Sequence, residues 1–150
     1  MEIKKAIFEK SSPNIENCPK GNLFEIAFIG RSNVGKSSIL NMLLNKRSIA
    51  KVSKIPGKTK LINYFLINDR IYFVDLPGYG YAKLSKQNKF EISKITKSYF
   101  KERKQLKKIF LLIDVRHAIQ KSDYSFMVFL KSLNKDFIII FTKTDKIKDS

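Results

Sequence analysis

The chain has 150 residues, 43% of them hydrophobic, and its 30 Lys or Arg against 13 Asp or Glu leave a formal charge of +17. That is enough chain for one substantial core; apolar runs of about five residues exclude a membrane span, and the lone Cys18 excludes an internal disulfide. The charge points to a polyanionic partner, although Lys far outnumbers Arg and Ile and Asn abound, as an A+T-rich coding sequence also produces.

Met1 to Gly21 is mixed in character: Ile3 to Phe8 reads as a strand or an arm, and Ser11 to Gly21 carries Ser, Pro and Asn turn signals. Lys4-Lys5 is followed by only Ala6-Ile7-Phe8 before Glu9, which is no secretory leader, so a cytoplasmic protein is expected. Phe24 to Ile29 is then a β-prone apolar run entering Gly30-Arg31-Ser32-Asn33-Val34-Gly35-Lys36-Ser37, and behind Ser38 the residues Ile39, Leu40, Leu43 and Leu44 repeat at helical spacing. Strand, glycine loop and helix together let a backbone curl around phosphate. Gly30 and Gly35 permit the curl, the helix N-terminus adds its positive end, Lys36 reaches the outer phosphates, and the Ser37 hydroxyl can bind Mg²⁺. A triphosphate is the predicted guest; the bland alternative is a glycine turn that binds nothing.

Residues 47–59 show no strong helical or strand pattern and end in Pro56-Gly57-Lys58-Thr59. A Pro-Gly turn accounts for part of this. In a GTPase a threonine here completes the Mg²⁺ shell only when a γ-phosphate is present, which makes the segment a first switch and Thr59 its ligand. Strands over 61–67 and 70–75, joined by a tight Asn68-Asp69 turn, are predicted to pair antiparallel at one edge of an otherwise parallel sheet. The second leads into Asp75-Leu76-Pro77-Gly78, where the carboxylate can hold Mg²⁺ through its water shell and the Gly78 amide can sense the γ-phosphate.

Helices are expected over about 87–103, with Ile92, Ile95 and Tyr99 on one face, and over about 123–133, with Phe126, Phe129, Leu130 and Leu133 on one face. Those aromatics read as core, not as base-stacking platforms. Between Lys83 and Lys108 lie ten Lys or Arg against Glu91 and Glu102, a basic stretch directly behind the second switch. His117 is the only histidine and is assigned no chemistry. Phe137 to Phe141 reads as a short buried strand, followed by Thr142-Lys143-Thr144-Asp145, a form of the guanine motif more often written Asn-Lys-x-Asp. Asp145 can accept from guanine N1 and N2, which adenine cannot supply, while the Lys143 stem covers the ring.

The motifs G-R-S-N-V-G-K-S-S at 30–38, P-G-K-T at 56–59, D-L-P-G-Y-G-Y-A at 75–82, D-V-R-H at 114–117 and T-K-T-D-K at 142–146 together resemble the EngB family of bacterial ribosome-biogenesis GTPases. The match covers about residues 20–150, and Gly78-Tyr79-Gly80-Tyr81-Ala82 is its most family-specific piece. The resemblance implies an α/β, Ras-like P-loop GTPase fold in three layers, mostly parallel with one antiparallel edge strand. It further implies a single GTP-binding domain over 1–150, with residues 1–21 as strand or arm. The fifth GTPase motif, closing strand and C-terminal helix expected of the family are missing from these 150 residues.

It implies GTP or GDP with Mg²⁺ as ligands, the metal on Ser37, Thr59 and Asp75, and catalysis carried by Lys36, Asn33 and Thr59. Asn33 is either a K⁺ ligand that substitutes for an arginine finger or a residue that only stabilises its turn. Tyr79 stands where Ras-like enzymes place a water-orienting glutamine, so slow turnover is expected. The implied partners are a large ribosomal subunit precursor and rRNA, met by a monomer with no membrane role. A basic RNA-binding module with a vestigial GTPase fold is the alternative; an ATPase or kinase is disfavoured by Thr142 to Asp145.

Overall fold

The computed structural model describes residues 2–45 and 61–147. Its elements are β1 (Ala6–Ser12), β2 (Phe24–Gly30), α1 (Lys36–Leu43), β3 (Ile62–Ile67), β4 (Ile71–Asp75), α2 (Lys86–Glu102), β5 (Leu106–Asp114), α3 (Lys121–Ser132) and β6 (Ile138–Thr142), followed by a single 3₁₀ turn at Thr144–Lys146. The six strands form one sheet in the order β1-β3-β4-β2-β5-β6. β4, β2, β5 and β6 run parallel, while β3 is antiparallel to both β4 and β1.

Side chains on the inner strands alternate between two apolar layers. Ala27 and Ile29 of β2 face the cluster that contains Tyr99 and Phe100 of α2 and Leu130 of α3, whereas Phe28 faces the one built on Leu40 and Leu44. α1 therefore covers one face and α2 with α3 the other. This is the three-layer α/β arrangement that the element order predicted, with strands apolar on both sides because both sides are covered.

The predicted antiparallel hairpin is present, and its turn explains the fate of the N-terminal segment. Asn68 and Asp69 both have positive φ, 50° and 55°, and Arg70 N–H donates to the Ile67 carbonyl at 3.0 Å. That is a type I′ turn, whose twist suits paired strands. The Asn68 side chain also accepts from the amides of Lys4 and Lys5 and donates to the Glu2 carbonyl. Residues Ala6–Ser12 are thereby laid against β3 as a strand rather than an arm, with a bulge between Phe8 and Lys10, so β1 adds outside the antiparallel strand.

One expectation needs correcting. The Phe137–Phe141 run reads as a buried strand, yet Ile138, Ile139 and Phe141 of β6 are exposed. Among the described residues β6 is the outermost strand and pairs only with β5. Apolarity alone does not distinguish a central strand from an edge.

α2 and α3 match their predicted spans within two residues, and Tyr99, Phe126 and Phe129 belong to the core as expected, while Phe90 and Tyr124 are exposed. Phe126 stacks on Tyr79 and meets Phe100 and Phe129 edge-on or tilted. At the C-terminal end of α2, Arg103 donates to Glu25 through Nε at 2.8 Å and to the Pro19 carbonyl at 2.6 Å, and the Tyr99 hydroxyl donates to Glu25 at 2.7 Å. Glu25 is fully buried, so this saturated ion pair fastens α2 and the 12–21 loop to the start of β2.

Candidate functional site

Every motif singled out in the described residues sits at the carboxyl end of a parallel strand: Gly30 ends β2, Asp75 ends β4, Asp114 ends β5 and Thr142 ends β6. β4 and β5 flank β2, so after α1 the chain goes to one side of β2 and after α2 to the other. Ligands of open parallel sheets bind in the crevice such a reversal creates.

The loop after β2 adopts the curl its glycines allow. Asn33 has φ 65° and Gly35 φ 100°, and Val34 N–H closes a turn onto the Arg31 carbonyl. Gly35 is also the N-cap of α1 and offers no side chain to its first-turn amides. Those amides are the donors a phosphate takes up at a helix N-terminus. Lys36 opens the helix and pairs with Asp75 across the site, both side chains being largely buried. Ser37 and Ser38 follow on the first turn of α1, Ser38 exposed.

Asp75 faces Phe28 in the β2–β4 register, and the chain beyond it is laced to the glycine loop. Leu76 N–H donates to the Phe28 carbonyl, Tyr79 N–H to that of Gly30 and Ser32 N–H to that of Tyr79. A side chain at Gly78 would come within 2.8 Å of the Gly30 carbonyl oxygen, which is why glycine is required there. Leu76 is fully buried and the Pro77 carbonyl is turned toward Thr96 of α2, so these two carry the segment while its backbone approaches the loop.

The end of β6 is tied to the same loop from the other side. The Thr142 hydroxyl donates to the Val34 carbonyl at 2.7 Å, with the Ile113 carbonyl 3.3 Å away. Lys143, at φ 60°, donates to the Asn33 carbonyl and pairs with Asp114, each at 2.8 Å. Asp114 also accepts from Arg116 through Nε at 3.0 Å and a terminal nitrogen at 2.8 Å. Hydrogen bonding from Arg116, then from Lys143, holds the Asp114 carboxyl well below the usual carboxylate range, against the opposing effect of its burial. Thr144 and Asp145 sit exposed in the turn beyond, with Asp145 3.4 Å from Lys146.

Sequence reasoning missed three of these links. Thr142 stands where most GTPases have asparagine, and its hydroxyl anchors the loop. Asp114 and Arg116, quoted only as part of a motif, position Lys143. Tyr79, read as part of the family-specific Gly78–Ala82 run and as standing in place of a glutamine, donates its hydroxyl to buried Asp123 at 2.9 Å and stacks on Phe126 with ring centres 4.7 Å apart. Burial, then the Asp123 charge, pushes its phenol pKa far up. The expected Pro56, Gly57, Lys58 and Thr59 contacts, and the whole first switch over 47–59, lie outside the described residues.

A metal fits what is present. The described residues contain no group of three or more His, Cys, Asp or Glu that could hold an ion. Mg²⁺ beside phosphates needs none: it keeps several waters and takes one or two protein oxygens. Ser37 and Asp75 carry a hydroxyl and a carboxylate of the kind such an ion takes, Asp75 being paired with Lys36.

The family described as 50S ribosome-binding GTPase matches residues 25–143. A probable GTP-binding protein EngB of Christiangramia forsetii is 53% identical over 148 residues, covering 99% of this chain and 75% of the relative. One from Clostridium kluyveri is 50% identical over 150 residues, covering 100% and 76%. Among solved structures, a probable GTP-binding protein EngB is 29% identical with a TM-score of 0.68, over 83% of this chain and 73% of that one. Era in complex with MgGDPNP and nucleotides 1506–1542 of 16S ribosomal RNA is 28% identical with a TM-score of 0.66, over 87% and 43%.

Proposed function

Because this chain belongs to the EngB family of GTP-binding proteins and has the GTPase fold, we propose that it is a slowly hydrolysing, Mg²⁺-dependent GTP switch that acts in assembly of the large ribosomal subunit. The observation that carries this reading is the lacing of the Gly30–Ser37 loop to the Asp75–Tyr79 segment on one side and to Thr142 and Lys143 on the other. Two separate stretches of chain are thereby held against the glycine loop from either side.

In this reading Lys36, paired with Asp75 in the structure, would serve the outer phosphates, and Ser37, Thr59 and Asp75 would hold the metal, which would supply charge neutralisation there. Lys36 and the first amides of α1 orient the triphosphate and stabilise the charge that develops on it. The Tyr79 hydroxyl is committed to Asp123, so no side chain at that position orients the attacking water, which supports slow turnover. The positive φ of Asn33 shows that it makes the turn, and its carbonyl holds Lys143. K⁺ coordination by its side chain is the activating role we propose in addition, read from the K⁺ dependence of GTP hydrolysis.

Guanine selection falls to Asp145. Asp145→Asn turns an acceptor into a donor and is expected to shift preference from GTP toward XTP. Titration of GDP, GTP and ATP by calorimetry tests the nucleotide assignment, and equal ATP and GTP affinities would refute it. The ribosomal partner is supported by the family match and by exposed Lys83, Lys86, Lys89, Lys94, Lys97 and Lys101 behind the second switch. Arg103, counted with them in the sequence, is instead consumed by Glu25. Co-sedimentation with large-subunit precursors should be stronger with a GTP analogue than with GDP and should weaken with salt. Pelleting that ignores nucleotide would leave a basic RNA-binding module.

A further inference from the structure

Beside the Gly78–Ala82 segment opens a cleft of about 440 Å³ that the nucleotide reading leaves unused. This is within the range of small-molecule sites. Its apolar walls come from Tyr79, Ile92 and Phe126, and along its α2 side run Lys89, Ser93 and Lys97, spaced four apart so that they fall on one line of the helix. Lys89 and Lys97 are exposed, Lys89 Nζ lying 3.5 Å from the Ala82 carbonyl and Lys97 Nζ 5.8 Å from the centre of the Phe129 ring, and among the described residues no carboxylate lines the cleft. Aromatic walls, a hydroxyl and two cations select a flat apolar body that carries a negative group.

The cleft also borders the nucleotide site. Tyr79, one of its walls, is bonded through its backbone to Gly30 and Ser32 and through its ring and hydroxyl to Phe126 and Asp123. A body wedged against that ring bears on the segment that would follow the γ-phosphate. We propose that this cleft is a second ligand site, one that takes a small aromatic monoanion and is thermodynamically coupled to the nucleotide site through Gly78 and Tyr79. The coupling, though not the site, rests on the switch reading above. Such coupling is reciprocal: whatever factor the nucleotide imposes on the anion, the anion imposes on the nucleotide.

The probe is anilinonaphthalene sulfonate, an aromatic monoanion that fluoresces on leaving water, titrated into the full chain. It should bind one-to-one, lose about tenfold in affinity in Ser93→Trp, which fills the cleft from the α2 side, and lose severalfold when Lys89→Glu and Lys97→Glu are combined. Saturating probe should change the affinity of a non-hydrolysable GTP analogue by the same factor by which the analogue changes probe affinity. Circular dichroism and normal GDP binding without probe establish that Ser93→Trp is folded; should it fail to fold, the charge reversals on the exposed rim decide the site. Probe binding unaffected by these variants would put the dye elsewhere, such as on the exposed apolar side chains of β6, and overturn the site. Equal affinity for the GTP analogue with and without probe would overturn the coupling. Binding of the probe in the cleft by a chain that binds no GDP would refute the nucleotide reading and leave the site standing.

Discussion

Both ends of β2 carry buried ionic contacts, and they are built differently. At the start of the strand, Glu25 takes two partners, Arg103 and the Tyr99 hydroxyl, and Arg103 spends a further donor on the Pro19 carbonyl. The acid and base come from secondary structure and its immediate cap, and their hydrogen-bonding capacity is used within the protein. At the other end, Lys36 meets Asp75 where a loop becomes a helix and a strand becomes a loop, with the uncapped α1 N-terminus beside them. A saturated pair holds a fold together, whereas a lysine at the start of a helix whose N-cap is a glycine, with no side chain to cap it, is arranged for a guest anion.

That contrast is sharpest under mutation. Glu25→Ala leaves a buried guanidinium without its partner and should cost about 3–5 kcal/mol of stability, measured by urea unfolding, while the folded fraction keeps its GDP affinity. A stability change below about 1 kcal/mol would put Glu25 among ordinary surface pairs. Lys36→Ala leaves the Asp75 carboxylate without its partner and also loses stability, but unlike Glu25→Ala it costs about 3 kcal/mol of triphosphate binding, roughly a hundredfold, in a folded fraction with an unchanged circular dichroism spectrum. Near-normal GTP affinity in that variant would break the contrast at the nucleotide end.

The Asp114 contact should show itself through pH. Its carboxyl titrates lower in the folded chain than in the unfolded one, so the unfolded state takes up protons first as pH falls. The stabilisation is therefore complete above the ordinary carboxylate value, about 4, and is lost below it as the folded carboxyl is finally protonated. Thermal melts from neutral pH downward should show a steeper acid loss than in Asp114→Asn; identical profiles would mean that the Arg116 and Lys143 contacts contribute nothing. The smallest effect is expected for Tyr79→Phe, which keeps the stack on Phe126 and loses one hydrogen bond, worth about 1 kcal/mol. Single-turnover hydrolysis should change only a fewfold. A loss approaching the full rate would give the hydroxyl a direct part in the reaction.

Contiguous motifs were legible because their chemistry depends on covalent neighbours. A strand running into Gly30–Ser37 and on into a helix can be read by spacing, as can Asp75 at a strand end and the Asn68-Asp69 turn, and each lies where its pattern requires. Periodicity likewise marked the buried faces of α2 and α3. Contacts between distant residues could not be read this way. Thr142 reaching Val34, Lys143 bridging Asn33 and Asp114, Tyr79 donating to Asp123, and Arg103 leaving the basic surface for Glu25 all depend on which strands become neighbours. The exposure of β6 depends on the same thing, since an apolar run is buried only where further layers cover it. Local sequence thus determined which segments could bind phosphate and turn the chain; strand order, set by long-range burial of apolar surface, decided which of their side chains meet.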